Sequence, residues 1–422
     1  MRILHVYIEL NGLPVSVGRI RGNSGTDAVF SYDPDFLKRE IPISVSLPLQ
    51  REPFSARRTR CFFEGLLPEG FTRRSVAQWM HVDENDYLSI LAGLGKECLG
   101  AIRIEEESGN KSEACAYEEL SIEDVRRLAA EGATRSAEIV VKSHLSLTGA
   151  SGKVGLYYDQ AEKKWYQPLG TAPSTHIVKQ SHVRLSNIVE NEQLILRTAA
   201  NLGIAVAKSF IIHTGRMDDA GILLATERYD RDRLHTVKNI GGLPVPLRLH
   251  QEDLGQALGI VSEDKYEKPG EHYLADVFDL VKRVSSDPLR DQLKLLDVMI
   301  FDVLIGNTDN HIKNLSLLYR YDLQEIRLAP AYDLVSTLIY REGTSEMSIA
   351  VAGVREWEKI NRSTFAAASS EVGIRKEIIL REYDRLRQGL PEALNEAAEE
   401  LSDDGFQNAG AIKEAVVKAC RI

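Results

Sequence analysis

The sequence predicts an α+β protein of two lobes, the second helical, preceded by a β-rich amino-terminal subdomain. Three observations carry this. Apolar and polar residues alternate through most of the first hundred positions, the period of a half-buried strand. A polar stretch, "ESGNKSEACAYEE" (Glu107–Glu119), then interrupts the pattern, and a sheet-like texture returns near residue 138. After Gly242 the apolar residues fall mostly at helical spacing. The expected division is a β-rich subdomain over 1–105, a linker with a short helix over 106–137, a sheet lobe over 138–240 and a helical lobe over 241–422.

Taken in order, "HVYIEL" and "PVSVGRI" flank Asn11-Gly12, a strong hairpin signal, and "AVFSYD" and "IPISVSL" continue the alternation. "QREPFSARRTR" (Gln50–Arg60) is basic but short and reads as a solvated edge. Helices are expected around Ser75–His81 and Asp86–Leu94, and Ser121 is placed to cap another that ends at Gly132. "EIVVKSHLSLTGASGKVGLYYD" reads as strand, glycine-bearing turn, strand; "STHIVKQ" is a further strand. "NIVENEQLILRTAANLG" is an amphipathic helix stopped at Gly203, and "VAKSFIIHT" and "GILLATERYD" complete a small sheet. Beyond it "HQEDLGQALGI", "HYLADVFDLVKRV", "PLRDQLKLLDVMIFDVLIG" and "RKEIILREYDRLRQGL" read as helices, ahead of an Ala/Glu-rich tail.

Composition narrows the function. A chain of 422 residues with 43% hydrophobic and 27% charged positions has ordinary globular material for two domains. Its net charge of -10 argues against unaided nucleic-acid binding, which needs a surplus of Lys and Arg. Cys61, Cys98, Cys115 and Cys420 never fall at C-x-x-C spacing, so no zinc knuckle or redox motif is supported, and four thiols fit a reducing compartment. The amino terminus lacks the apolar core of a signal peptide. The most apolar run, "LLDVMIFDVLIG", is broken by Asp297 and Asp302 and cannot span a bilayer. A cytoplasmic protein without membrane attachment is expected.

The chemistry concentrates in "LIGNTDNHIKNLSLLY" (Leu304–Tyr319), where Asp309 and Asn314 stand at D-x-x-x-x-N spacing in a short polar loop. Protein kinases use that spacing: the Asp accepts the hydrogen bond of the attacking hydroxyl and the Asn holds a magnesium ion. Lys313 is placed to neutralise a transferring phosphoryl group. Asp333, after the apolar "IRLAPAY", offers the second metal-holding carboxylate. "SLTGASGKVG" (Ser146–Gly155) frees backbone N–H groups that could cradle phosphates. It is not a Walker A loop, which would need Gly where Leu147 stands and Ser or Thr where Val154 stands. Lys179 in "THIVKQ" and Glu192 on the next helix complete a kinase-like order of parts. Each piece has a plainer reading, as a polar turn, a glycine hairpin or an exposed strand lysine; their order favours the kinase.

In these residues the chain resembles the HipA-type serine/threonine kinase toxins of bacterial toxin–antitoxin systems. The likeness runs through "FFEGLLPEG", "ILAGLGKECLGAI", "SLTGASGK", "THIVK", Asn191–Glu192, "ERYDR" (Glu227–Arg231), "RLHQEDLGQALG", "KYE" (Lys265–Glu267) and "NTDNHIKNLSL". The resemblance implies a bilobal protein-kinase-like fold with ATP and Mg²⁺ as cofactors. Carried over, Asp309 is the catalytic Asp with Lys313 beside it, Asn314 and Asp333 the metal ligands, and Lys179 the nucleotide lysine. Glu192, Ser151, Gly152, Lys153 and His311 join the nucleotide site, and Thr226–Tyr229, with Glu227 and Tyr229, forms the hinge against adenine. Ser146 matches the family's autophosphorylated loop serine. Where family members commonly carry Gln and an acidic residue before the loop lysine, this chain has Ser151 and Gly152, which makes Ser151 a rival site alongside Ser143 and Thr148. The implied partners are a protein substrate, an aminoacyl-tRNA synthetase among the family's targets, and a helix-turn-helix HipB-like antitoxin through which DNA is reached indirectly. Two other readings share the architecture: a kinase of small molecules or lipids, and a non-catalytic co-regulator bound to an antitoxin.

Overall fold

The structure, a computed structural model, describes residues 1–107, 115–121, 123–125, 153–180, 185–215, 221–236, 238–320, 322–340 and 343–422. The chain forms two compact units. The first comprises Met1–Val183, Ile212–Ser262 and Leu318–Glu325; the second comprises Arg184–Ile211, Glu263–Leu317 and Ile326–Ile422.

The first unit opens on β1 (Arg2–Leu10) and β2 (Leu13–Gly22), closed by Asn11 and Gly12 at φ 49 and 77, the double left-handed turn that asparagine and glycine make readily. With β3 (Val29–Tyr32) and β4 (Ile102–Glu106) they form a sheet in the order β3-β2-β1-β4. Leu4, Val6, Ile8, Ile20 and Phe30 are buried. So are Phe62, Phe63, Leu91 and Leu94 from helices α1 (Ala56–Phe63) and α3 (Tyr87–Leu94), between which lies α2 (Gly70–Met80). Phe30 and Phe63 meet with ring centroids 5.1 Å apart.

Two expectations fail here. Ile41–Leu47 is a run of bends and turns, not a strand. Pro42 has no N–H to give a ladder, and Ser44 and Ser46 bond each other (Oγ–Oγ 2.9 Å) and turn the chain locally. The basic "SARRTR" segment is not an edge but the start of α1, capped by Ser55, whose Oγ accepts from the Arg58 N–H.

A second sheet takes β5 (Ala116–Leu120), β6 (Lys153–Asp159), β7 (Lys164–Leu169), β8 (His176–Gln180) and β9 (Ile222–Glu227) in the order β5-β7-β6-β8-β9, with Ser209–His213 as a sixth strand beside β9. The two sheets are joined through a fully buried ion cluster. Glu97 receives Arg231 at 2.7 Å, Arg228 at 3.2 Å and a close Arg248 guanidinium. Arg248 also reaches Glu9 on β1 at 2.8 Å, and Asp230 takes Arg228 at 2.7 Å and the Gly100 N–H at 2.6 Å. Burial alone would push the Glu97 carboxyl up, but Arg248, Arg231 and Arg228 together hold it down at about 2.

The second unit is helical. α4 (Ile188–Asn201) ends against Gly203 at φ 80, and α5 (Tyr273–Val284) precedes the long α6 (Pro288–Ile305). Asp287 caps α6, proline fills its first position, and Gly306 at φ 65 ends it. Nearly every residue of its last three turns is buried, so α6 is the central core helix. The carboxy-terminal helix expected to stop at Leu390 instead runs on through Pro391 as α7 (Lys376–Asp403), followed by α8 (Ala409–Cys420). Leu390, Ala393, Leu394, Ala397, Ala398 and Leu401 keep one apolar face buried past the proline, outweighing its missing hydrogen bond. Among the described residues no helix is long and apolar enough to cross a membrane.

Candidate active site

The polar loop after α6 is built from the inside outwards. Asp302, fully buried in the last turn of α6, accepts the Asn307 side-chain amide on Oδ1 at 2.8 Å and the Asn310 amide on Oδ2; the Asn307 N–H returns to the Asp302 carbonyl at 2.8 Å. Thr337 Oγ1 accepts the Thr308 N–H at 2.8 Å and donates to the Gly306 carbonyl at 2.9 Å, and Ser348 donates to the Thr308 carbonyl. Asn307, Thr308, Asn310, His311 and Lys313 are therefore buried, while Asp309 between them is exposed. The loop holds one carboxylate out, leaves Asn314 half-buried and keeps the rest in.

Asp309 Oδ1 accepts the Tyr266 hydroxyl at 2.7 Å, and the Tyr266 ring stands edge-on to His311 at 5.3 Å. Asn314 closes the turn: its amide reaches the Asp309 carbonyl at 3.3 Å. Tyr332, next to Asp333, donates to the Lys313 carbonyl at 3.1 Å and bonds Ser316 at 2.7 Å, so the segment carrying Asp333 is tied to the segment carrying Asn314. Asp333 sits at φ 58, a left-handed conformation rare for a non-glycine residue and common where a side chain must be aimed. One further tie reaches α4. Asn191 exchanges hydrogen bonds with the Ser336 backbone at 3.0 and 3.2 Å, which ties the stretch just after Asp333 to the helix bearing the buried Glu192.

Burial pushes the Asp302 carboxyl up to about 7, against the pull of the two amide donors. Its charge is therefore poised near neutrality directly under the loop. Among the described residues no group of three or more His, Cys, Asp or Glu side chains could hold a metal ion.

The first unit carries the other predicted residues. Lys153 on β6 and Lys179 on β8 are register partners in an antiparallel pair, and Lys179 is buried. Glu227 ends β9 opposite His176; Tyr229 bonds Gln251 through a short hydroxyl contact. Within "ERYDR", Arg228, Asp230 and Arg231 belong to the buried ion cluster. Ser143, Ser146, Thr148, Ser151 and Gly152 lie outside the described residues. Sequence reasoning gave no role to Tyr266, Asp302 or Glu97. A tyrosine in "KYE" and a glutamate in "KECLG" carry no local signal of a carboxylate or guanidinium that arrives from far along the chain.

The loop thus presents an exposed carboxylate, with Asn314 closing the same turn and Asp333 on a segment tied alongside, in a fold of the kinase-like class. The HipA-like C-terminal domain family matches residues 145–394, and the HipA N-terminal domain family matches residues 7–105. The chain belongs to the HipA family of kinases. It is 33% identical over 395 residues to the protein Y4mE of Sinorhizobium fredii, covering 92% of this chain and 90% of that one. It is 27% identical over 410 residues to the serine/threonine-protein kinase toxin HipA of Shewanella oneidensis, covering 94% and 89%. Among solved structures, the Shewanella oneidensis toxin–antitoxin complex of HipA, HipB and operator DNA shares the fold at a TM-score of 0.80 and 24% identity, covering 98% of this chain and 96% of that one.

Proposed function

We propose that the protein is an ATP- and Mg²⁺-dependent serine/threonine protein kinase that acts as the toxin of a toxin–antitoxin module. The observation that carries the reading is Asp309, held out on a loop whose neighbours are all buried and pinned. A carboxylate so placed can orient and accept the proton of a substrate hydroxyl without moving. Asn314 and Asp333 supply oxygen donors on segments tied by the Tyr332–Lys313 hydrogen bond, the donor type a hard cation takes when one or two protein groups share it with phosphates. ATP, when bound with its magnesium, supplies the phosphoryl group and the charge on it. By the resemblance, Lys153, Lys179 and Glu192 belong to the nucleotide site, Lys313 neutralises the transferring phosphoryl group, and Thr226–Tyr229 meets the adenine.

The remaining parts rest on kinship. The Shewanella relative is a named toxin and the solved complex contains HipB and operator DNA. A helix-turn-helix antitoxin is the corresponding partner here, and it supplies the DNA contact that a chain of net charge -10 does not make unaided. Cytoplasmic location, a translation factor such as an aminoacyl-tRNA synthetase as target, and autophosphorylation at Ser146, Ser151 or Ser143 complete the reading.

The test is Asp309→Asn. Transfer of labelled phosphate from ATP to protein in a bacterial lysate should disappear while nucleotide binding persists, and growth arrest on expression should be relieved. Full transfer activity in the variant would overturn the role of Asp309. Label appearing in lipid or small molecules rather than protein would overturn the protein substrate.

A further inference from the structure

Away from the polar loop, the helical unit holds a cavity of about 680 Å³, within the usual range of small-molecule sites. Its walls come from the end of α6 (Val303, Leu304), from Trp357 and Ile360, from Ala366, and from α7. Lys376, Leu380, Tyr383 and Arg387 recur along α7 at helical spacing and present one face to the space. The floor is apolar and aromatic; the rim is cationic.

The charges do not cancel. Arg362 is held by Asp384 through two 2.7 Å bonds, and Arg421 by Glu358 at 2.9 Å. Lys376 and Arg387 have no acidic partner among the described residues; Arg387 donates only to the Arg421 carbonyl at 3.2 Å. Two uncompensated cations thus flank an aromatic floor made by Trp357 and Tyr383.

The cavity also borders the root of the loop. The Trp357 indole N–H donates to the Val303 carbonyl at 2.7 Å, in the last turn of α6. Cys420, also lining the space, lies with Sγ 3.0 Å from where a Cβ on Gly306 would stand, immediately before Asn307.

We infer that this cavity is a second binding site, for a small organic anion with a flat apolar body. The site does not depend on the kinase reading, and neither does its test. The full chain is titrated with the fluorescent probe 1-anilinonaphthalene-8-sulfonate and with its uncharged analogue N-phenyl-1-naphthylamine. One saturable site for the sulfonate is expected, at least tenfold tighter than for the neutral probe. The pair Lys376→Glu with Arg387→Glu should weaken the sulfonate at least tenfold, and Ala366→Trp should abolish it by filling the space. Both side chains are exposed and glutamate at the first position of α7 suits the helix dipole, so a nearly unchanged melting temperature is expected for the charge variant. Equal binding of the two probes, or unaltered sulfonate binding in both variants, would overturn the inference.

Discussion

Lys153 and Lys179 stand directly opposite each other in the antiparallel pairing of β6 with β8. Opposed residues in such a pair share one face of the sheet with Cβ atoms about 5 Å apart, so both lysine side chains leave the same face. A phosphate bound on that face can take a charge-assisted hydrogen bond from each lysine. Lys153→Ala and Lys179→Ala should each weaken nucleotide binding at least tenfold, about 1.4 kcal/mol, and flatten its dependence on salt. Isothermal titration with ATP at two ionic strengths checks this. Wild-type affinity in either variant would remove that lysine from the phosphate site.

Asp302 controls the loop from below. Both of its oxygens accept amide hydrogens, from Asn307 and Asn310, so the loop is best satisfied when the carboxylate is ionised. Burial raises its pKa to about 7 from 3.8, which makes the folded state the tighter proton binder. The stability it contributes is therefore greatest below about 4 and falls as pH rises through 7, whereas loop order improves over the same range. Phosphate transfer should rise with pH around 7 in the wild type. Asp302→Asn sets an amide donor against amide donors; kcat should fall by about tenfold or more, for one to three kcal/mol of lost hydrogen bonding, with KM for ATP little changed. The limb near pH 7 should vanish in the variant. A variant with the wild-type pH profile would show that Asp302 only fills space.

How far the site was legible in the sequence follows from these examples. Asp309 and Asn314 declare themselves by spacing within one loop, and Asn11-Gly12, Asp287-Pro288 and Gly306 mark turns and helix ends by local chemistry. Asp302 was read only as an interruption of an apolar run, because its partners lie across a turn whose shape the sequence does not state. The strand expected over Ile41–Leu47 failed because alternation says nothing of Ser44, whose hydroxyl is claimed by Glu252 at 2.6 Å from far along the chain. The continuation of α7 beyond Leu390 was not legible because burial of the face past Pro391, which decides the matter, is a tertiary fact.

Glu97 is the hub of a neutral set: Arg228, Arg231 and Arg248 face Glu9, Glu97 and Asp230, all buried. Removing one member leaves a charge without its counter-charge in a dry interior. Glu97→Gln should lower unfolding stability by about 3–5 kcal/mol. Combining it with Arg231→Gln restores neutrality and should recover part of the loss, a coupling that a double-mutant cycle in urea reads directly. Additive losses would mean that the pair does not interact.

Glu252 offers the clearest pH signature in the first unit. It is 1% exposed and accepts the Ser44 hydroxyl at 2.6 Å, the Val45 N–H at 3.0 Å and the Tyr319 hydroxyl, which pins the turn after β3 to the strand His250–Asp253. Burial raises its carboxyl to about 7 from 4.5, in spite of those three donors. The folded state holds the proton more tightly than the unfolded chain. The stability it contributes is full below 4.5, declines as pH climbs toward 7 and levels off above. Over that interval the change amounts to roughly 3 kcal/mol. Glu252→Gln cannot ionise and should remove this slope, so the melting temperatures of wild type and variant should draw together, or cross, between pH 5 and pH 8. Parallel melting curves across that range would show that Glu252 does not titrate there, and that the three donors hold it ionised throughout.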